Sequence, residues 1–169
     1  GYSQSGSTNL NTINISGGTI KNNVYGGYSQ SGPGSVSNTV NISDGIINSN
    51  VYGGKSYSGS VTNNTVNILG GTISNVFGGS TINGSGVANS NTINISGGII
   101  NNNVYGGYSH IESAANNTIN ISSGTISGNV YGGYNDIGKV INNTVNISKN
   151  PDFGTDTIIY GGDRVQSKG

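Results

Sequence analysis

There is no cysteine anywhere in the 169 residues, so disulfides and thiolate metal sites are excluded. Charge is nearly as scarce. Lys, Arg, Asp and Glu make up 7% of the chain, and six cations balance six anions. A neutral chain of this kind has no electrostatic pull toward nucleic acid or an anionic membrane. Hydrophobic residues reach only 31%, and no apolar run approaches the roughly 20 residues that a membrane-spanning helix needs. The i, i+3, i+4 apolar spacing of an amphipathic helix is missing from every window, and the density of Gly and Asn would weaken any helix. No leader of the charged-then-apolar kind opens the chain. Low apolar content would fit disorder, but disorder ordinarily comes with charge and without ordered columns of Ile and Val.

What is present is a repeat. Asn11 opens the stretch Asn-Thr-Ile-Asn-Ile-Ser-Gly-Gly-Thr-Ile-Lys-Asn-Asn-Val-Tyr-Gly-Gly, which ends at Gly27 and returns five times. Its first residue recurs at Asn38, Asn64, Asn91, Asn117 and Asn143, at spacings of 27, 26, 27, 26 and 26. A fixed period of this size marks a solenoid, one supersecondary unit stacked on the next. Inside the unit, Ile13 and Ile15 alternate with Thr12 and Asn14, the period of a strand with one buried face. Gly17-Gly18 breaks that strand, Thr19-Ile20 begins a second, Val24-Tyr25 begins a third, and Gly26-Gly27 is expected to turn it. The expectation is an all-β fold: a right-handed parallel β-helix of about six coils of 26–27 residues.

The aliphatic positions fall into columns. Ile15, Ile42, Ile68, Ile95, Ile121 and Ile147 share one; Val24, Val51, Val76, Val104, Val130 and Ile159 share another. Stacked inward on coils about 4.8 Å apart, they would form ladders. Residues 28–37, 55–63, 80–90, 108–116 and 134–142 differ in length and sequence, as loops gathered on one face would. The coil from Asn64 is one residue short and carries Leu69 where the others have Ser. Residues 1–169 read as one solenoid whose last coil, 143–169, is irregular: Pro151 removes a donor and Asp152 stands where an inward Ile is expected. Gly1–Gly6 copies Gly27–Gly32, so the chain is expected to be cut from a longer array.

Three polar or aromatic sets stand out. The column from Asn11 and the column from Asn23 precede strands, where Asn tolerates left-handed backbone and its amides can bond along the axis. Asn14 and its equivalents face outward beside the Thr12 column. Most of them read Asn-Ile-Ser, a glycosylation sequon that a repeat this rich in Asn and Ser would carry incidentally. Regular Thr-x-Thr arrays on β-solenoids resemble ice-binding surfaces, but here the second column is Asn, which hydrates differently. Tyr25, Tyr52, Phe77, Tyr105, Tyr131 and Tyr160 should point outward as an aromatic ladder. Tyr28, Tyr57, Tyr108 and Tyr134, at or near loop starts, are the candidate ligand-binding residues, since Tyr joins apolar area to a polar tip. They either contact a sugar or protein or pack on neighbouring loops.

Catalysis finds little in the sequence. The acidic residues share no column, and Glu112 and Asp136, in successive loops, are the nearest approach to a carboxylate pair. His110 stands alone, without a nucleophile or orienting acid tied to it. The Gly-Gly pairs precede no helix, and the calcium-binding nonapeptide is absent. No catalytic residue, cofactor or metal ligand is expected.

The repeat Asn-Thr-[Val/Ile]-Asn-Ile-Ser-Gly-Gly-Thr-Ile-x-x-Asn-Val-Tyr-Gly-Gly-Tyr-Ser resembles the passenger repeats of Gram-negative autotransporter (type V secretion) surface proteins, over essentially the whole chain. The resemblance implies a cell-surface location, a C-terminal outer-membrane barrel outside this chain, and a monomeric adhesin or stalk segment whose partners are host-cell or bacterial surface proteins or glycans. It carries no catalytic residue over to this sequence. A β-helical carbohydrate-processing enzyme and an ice-binding solenoid are the alternatives.

Overall fold

The Thr-Ile-Asn-Ile alternation carries directly into strands. Thr12–Ile20 pairs with Thr39–Ile47 and Thr92–Ile100 with Thr118–Ile126, and the split strand of the coil between, Thr65–Ile68 and Thr72–Ile73, joins the two pairs. All pairings are parallel, in a computed structural model that describes residues 1–164. The chain is a parallel β-helix of about six coils with no helix among the described residues. Three sheets form its walls. The sheet just named has eight strands. A second eight-stranded sheet comprises Val24–Ser29, Val51–Ser56, Val76–Thr81, Val104–Ser109 and Val130–Asn135 with shorter strands at each end; we call it the tyrosine sheet. The third has six short strands, among them Gly34–Val36, Ser60–Thr62, Ala88–Asn89 and Ser113–Ala115.

That third sheet corrects the division of the coil read from sequence. Thr19-Ile20 belongs to the same strand as Ile15, bent at a bulge where Ser16 pairs with Asp44. The third wall lies instead inside the variable segments, leaving only short loops such as 57–59 and 110–112 outside strands. Strands of two or three residues are too short to show an alternation.

The interior has two compartments. Val40, Ile42, Ile47 and Val51, with their equivalents in other coils, make one continuous aliphatic cluster between the two large sheets. Each such side chain contributes about 1.5–3 kcal/mol on burial. The second compartment, against the third sheet, is polar. Asn38, Asn64, Asn91 and Asn117 are fully buried there. Each Nδ2 donates to the next Oδ1, as from Asn38 to Asn64 at 2.9 Å and Asn64 to Asn91 at 3.0 Å. That Oδ1 also accepts the preceding coil's Asn backbone N–H, so the ladder satisfies donors exposed by the corner.

Two local expectations change here. The left-handed residue at this corner is not the Asn but the one before it: Ser37, Asn63, Ser90 and Asn116 have φ of 55–57°. And Gly26-Gly27 does not turn the chain. Strand Val24–Ser29 runs through it, with Gly27 paired to Gly54. The pair is there for room. A Cβ on Gly54 would lie 2.5 Å from Asn64 Nδ2, inside the buried ladder. At the Gly17-Gly18 corner the reason is conformational instead, since Gly18 has φ 82° with open space around it.

The irregular coil also departs from expectation. Phe153, not Asp152, takes the inward Ile place, pairing with Ile126 and packing against the core; Asp152 pairs with Thr125 and is exposed. Residues 165–169 of this coil lie outside the described residues.

Candidate functional site

Strict alternation would put Tyr25 and Tyr28 on opposite faces. At the Gly pair that alternation breaks while the register between coils is kept: both glycines face the interior against Asn38, and both rings emerge on the outer face, 5.2 Å apart. Repeated coil after coil, this yields two parallel columns on the tyrosine sheet. The inner column is the continuous stack Tyr25, Tyr52, Phe77, Tyr105, Tyr131 and Tyr160, with centroids 4.7–5.2 Å apart. Its phenols are held by the neighbouring Asn column, as where Asn103 Nδ2 donates to Tyr105 Oη at 3.0 Å. Stacked rings of this kind contribute about 0.5–1.5 kcal/mol per pair beyond area burial.

The outer column reads, in register, Tyr2, Tyr28, Lys55, Ser80, Tyr108, Tyr134 and Asp163. Three of the four sequence candidates therefore lie in one column, each next to last in its strand and so near a loop start, with Lys55 and Ser80 between Tyr28 and the adjacent pair Tyr108 and Tyr134. Tyr108 and Tyr134 stack at 5.5 Å, and Tyr108 meets Tyr105 and Phe77 edge-on. Tyr57 is apart from them, in the loop after Val51–Ser56, and is 46% exposed.

His110 is not alone. Its Nδ1 lies 2.6 Å from Asp136 Oδ2, the same oxygen that accepts the Tyr108 phenol at 2.8 Å. The acid expected to approach Glu112 is thus engaged by a histidine and a tyrosine from the preceding coil. Sequence reasoning missed this cluster because its members lie at offsets 26 and 28, which only the coil register brings together. Burial pushes the Tyr108 phenol well above the usual tyrosine range, reinforced by its bond to Asp136 and by that carboxylate's charge. Burial also raises Tyr28, Tyr52, Tyr105 and Tyr134. It lowers the Lys55 ammonium, which lies over the rings of Tyr52, Tyr25 and Tyr28 at 4.6, 5.5 and 5.9 Å.

The chain matches no family model, no curated protein and no solved structure.

Two of the concavities on the protein's surface adjoin the tyrosine sheet and the outer Asn column. One, of about 350 Å³, opens on the tyrosine sheet between Lys55 and Tyr108, beside Ser80. The other, of about 460 Å³, follows the outer Asn ladder past Leu69, which is 60% exposed. That ladder is continuous: Asn41, Asn67, Asn94, Asn120 and Asn146 each donate Nδ2 to the preceding Oδ1 at 2.8 Å. The sequon asparagines are thus tied to one another rather than standing free in solvent. Among the described residues no cluster of His, Asp and Glu is arranged to hold a metal ion.

Proposed function

We propose that the chain is a non-catalytic surface segment, an adhesin or stalk portion of an autotransporter-type passenger. It would act outside the cell as a monomer, tethered through an outer-membrane barrel beyond this chain, and would bind a surface protein or glycan of a host cell or a neighbouring bacterium. The observation that carries this is the aromatic outer face. Tyr28, Tyr108 and Tyr134 are half-buried rings on a rigid sheet, flanked by loops that differ between coils. A rigid scaffold presenting variable loops and amphipathic rings is what recognition requires. The solenoid cross-section stays constant beneath them, which suits a scaffold that lifts such a surface away from the cell.

The enzyme alternative calls for two carboxylates flanking a cleft. Of the two carboxylates beside Tyr134, Asp136 and Asp163, Asp136 is held by His110 and Tyr108 instead. The test is binding of the purified chain to host cells and to a glycan array, before and after Tyr108→Ala with Tyr134→Ala. Loss of binding with the melting temperature retained supports the reading. Binding that survives unchanged removes these rings from the site, and no binding by the parent favours a passive stalk. Reducing ends released from a polysaccharide panel would favour the enzyme.

A further inference from the structure

The outer column is aromatic at Tyr2, Tyr28, Tyr108 and Tyr134 but not at Lys55 and Ser80. Lys55 leans over Tyr25, Tyr28 and Tyr52, away from Ser80. The place a ring would take at position 80 is therefore left open as the groove of about 350 Å³. Phe77 forms its floor, flanked by Tyr52 and Tyr105, with Tyr108 standing edge-on to Phe77 at 89° as one wall. Phe77 is also the one member of the inner column without a hydroxyl, so the floor is apolar where the groove lies.

Resting on the adhesin reading, we infer that this notch is a subsite for one carboxylated sugar ring, a uronate-type residue of an acidic glycan. Three features fix that chemistry. The volume lies at the lower end of the range for small-ligand sites, as a single ring within a longer chain requires. The floor and wall are aromatic faces and edges, which suit the flat C–H face of a pyranose. Two polar groups border it, the Ser80 hydroxyl and the Lys55 ammonium, which lies over Tyr52 at 4.6 Å, while the Tyr108 phenol already donates to Asp136. Lys55 pairs with no carboxylate among the described residues, where the one ion pair is His110 with Asp136. A partly desolvated cation with no counter-ion favours an anionic substituent on the bound ring. An aromatic side chain would use the floor but leave Lys55 without a counter-ion.

The experiment is calorimetric titration of the chain with tetragalacturonate, with its neutral methyl ester and with phenylacetate. Tetragalacturonate is expected to bind at least about tenfold more tightly than the ester. Lys55→Gln is expected to remove that difference. Ser80→Tyr, which supplies the missing ring, is expected to abolish binding with the melting temperature unchanged. Equal binding of acid and ester overturns the inference, as do binding by both variants at the parent's level and no binding of either sugar. Tighter binding of phenylacetate than of the uronate assigns the notch to an aromatic side chain and overturns it too. Cell adhesion measured on the same proteins separates the two proposals. Adhesion retained by Ser80→Tyr rejects the notch and leaves the adhesin reading intact. Uronate binding without adhesion rejects the adhesin reading alone.

Discussion

Replacing Asn91 by Ala tests whether the buried amide ladder is structural. Asn91 is fully buried. Its Oδ1 accepts the Asn64 backbone N–H at 3.1 Å and Asn64 Nδ2 at 3.0 Å. Its Nδ2 donates to Val61 O at 3.1 Å and Asn117 Oδ1 at 3.0 Å. Asn64 Nδ2 keeps Ser35 O and Thr62 O in the variant, and Asn117 Oδ1 keeps the residue 91 backbone N–H. The Asn64 backbone N–H, whose bond goes to Asn91 Oδ1, keeps no protein partner. An orphaned buried donor costs about 1–3 kcal/mol and each of the three further lost bonds about 1 kcal/mol, so Asn91→Ala should destabilise by roughly 4–6 kcal/mol. At about 2–4 °C per kcal/mol for a chain of this size, the melting temperature should fall by roughly 10 °C or more. Asn94→Ala, three residues on, breaks two bonds of 2.8 Å on the outer face. Water replaces them there, and the loss should stay within about 1 kcal/mol. Thermal and urea unfolding of both variants decide the matter. Equal destabilisation, or a loss below about 1 kcal/mol for Asn91→Ala, would refute the ladder's role.

Three further outcomes are expected. Ile95→Asp puts a charge between Ile68 and Ile121 in the aliphatic stack and should cost more than about 4 kcal/mol, whereas Thr92→Asp on the outer face of the same strand should cost about 1 kcal/mol or less; equal melting temperatures would reverse the strand's facing. Gly54→Ala drives a methyl into Asn64 Nδ2 and should cost about 1–3 kcal/mol by overpacking, measured by urea denaturation. Finally, the raised tyrosines keep their protons in the folded state where the unfolded chain loses them, above about pH 10. Their contribution is whole below that pH and is lost as pH climbs toward the folded values. The urea midpoint should therefore fall from pH 9.5 to 11.5, ranges chosen about the tyrosine value, and fall less in Tyr108→Phe; a flat midpoint would contradict the burial of these phenols.

The solenoid was legible in the chain because stacking is local in repeat space. Identical residues at spacings of 26 and 27 can satisfy one another only by lying on top of one another, so the Ile and Val columns, the aromatic ladder and the parallel strands follow from the period and the alternation. What the period cannot specify is the path within one coil. Gly26-Gly27 reads equally as a turn or as a cleared space, and only the position of Asn38, brought against it around the coil, makes it the second. The third sheet escaped notice because its inward residues, Val61, Ala88 and Ala114, are held by pairing and by the Asn ladder rather than by any apolar alternation of their own. The candidate site divides in the same way. Tyr28, Tyr108 and Tyr134 stand out as residues, but that they form a column interrupted by Lys55 and Ser80 depends on the register inside the tyrosine sheet. The contact of His110 and Tyr108 with Asp136 depends on it as well, since strand pairing converts one period of sequence into the short distance between neighbouring coils.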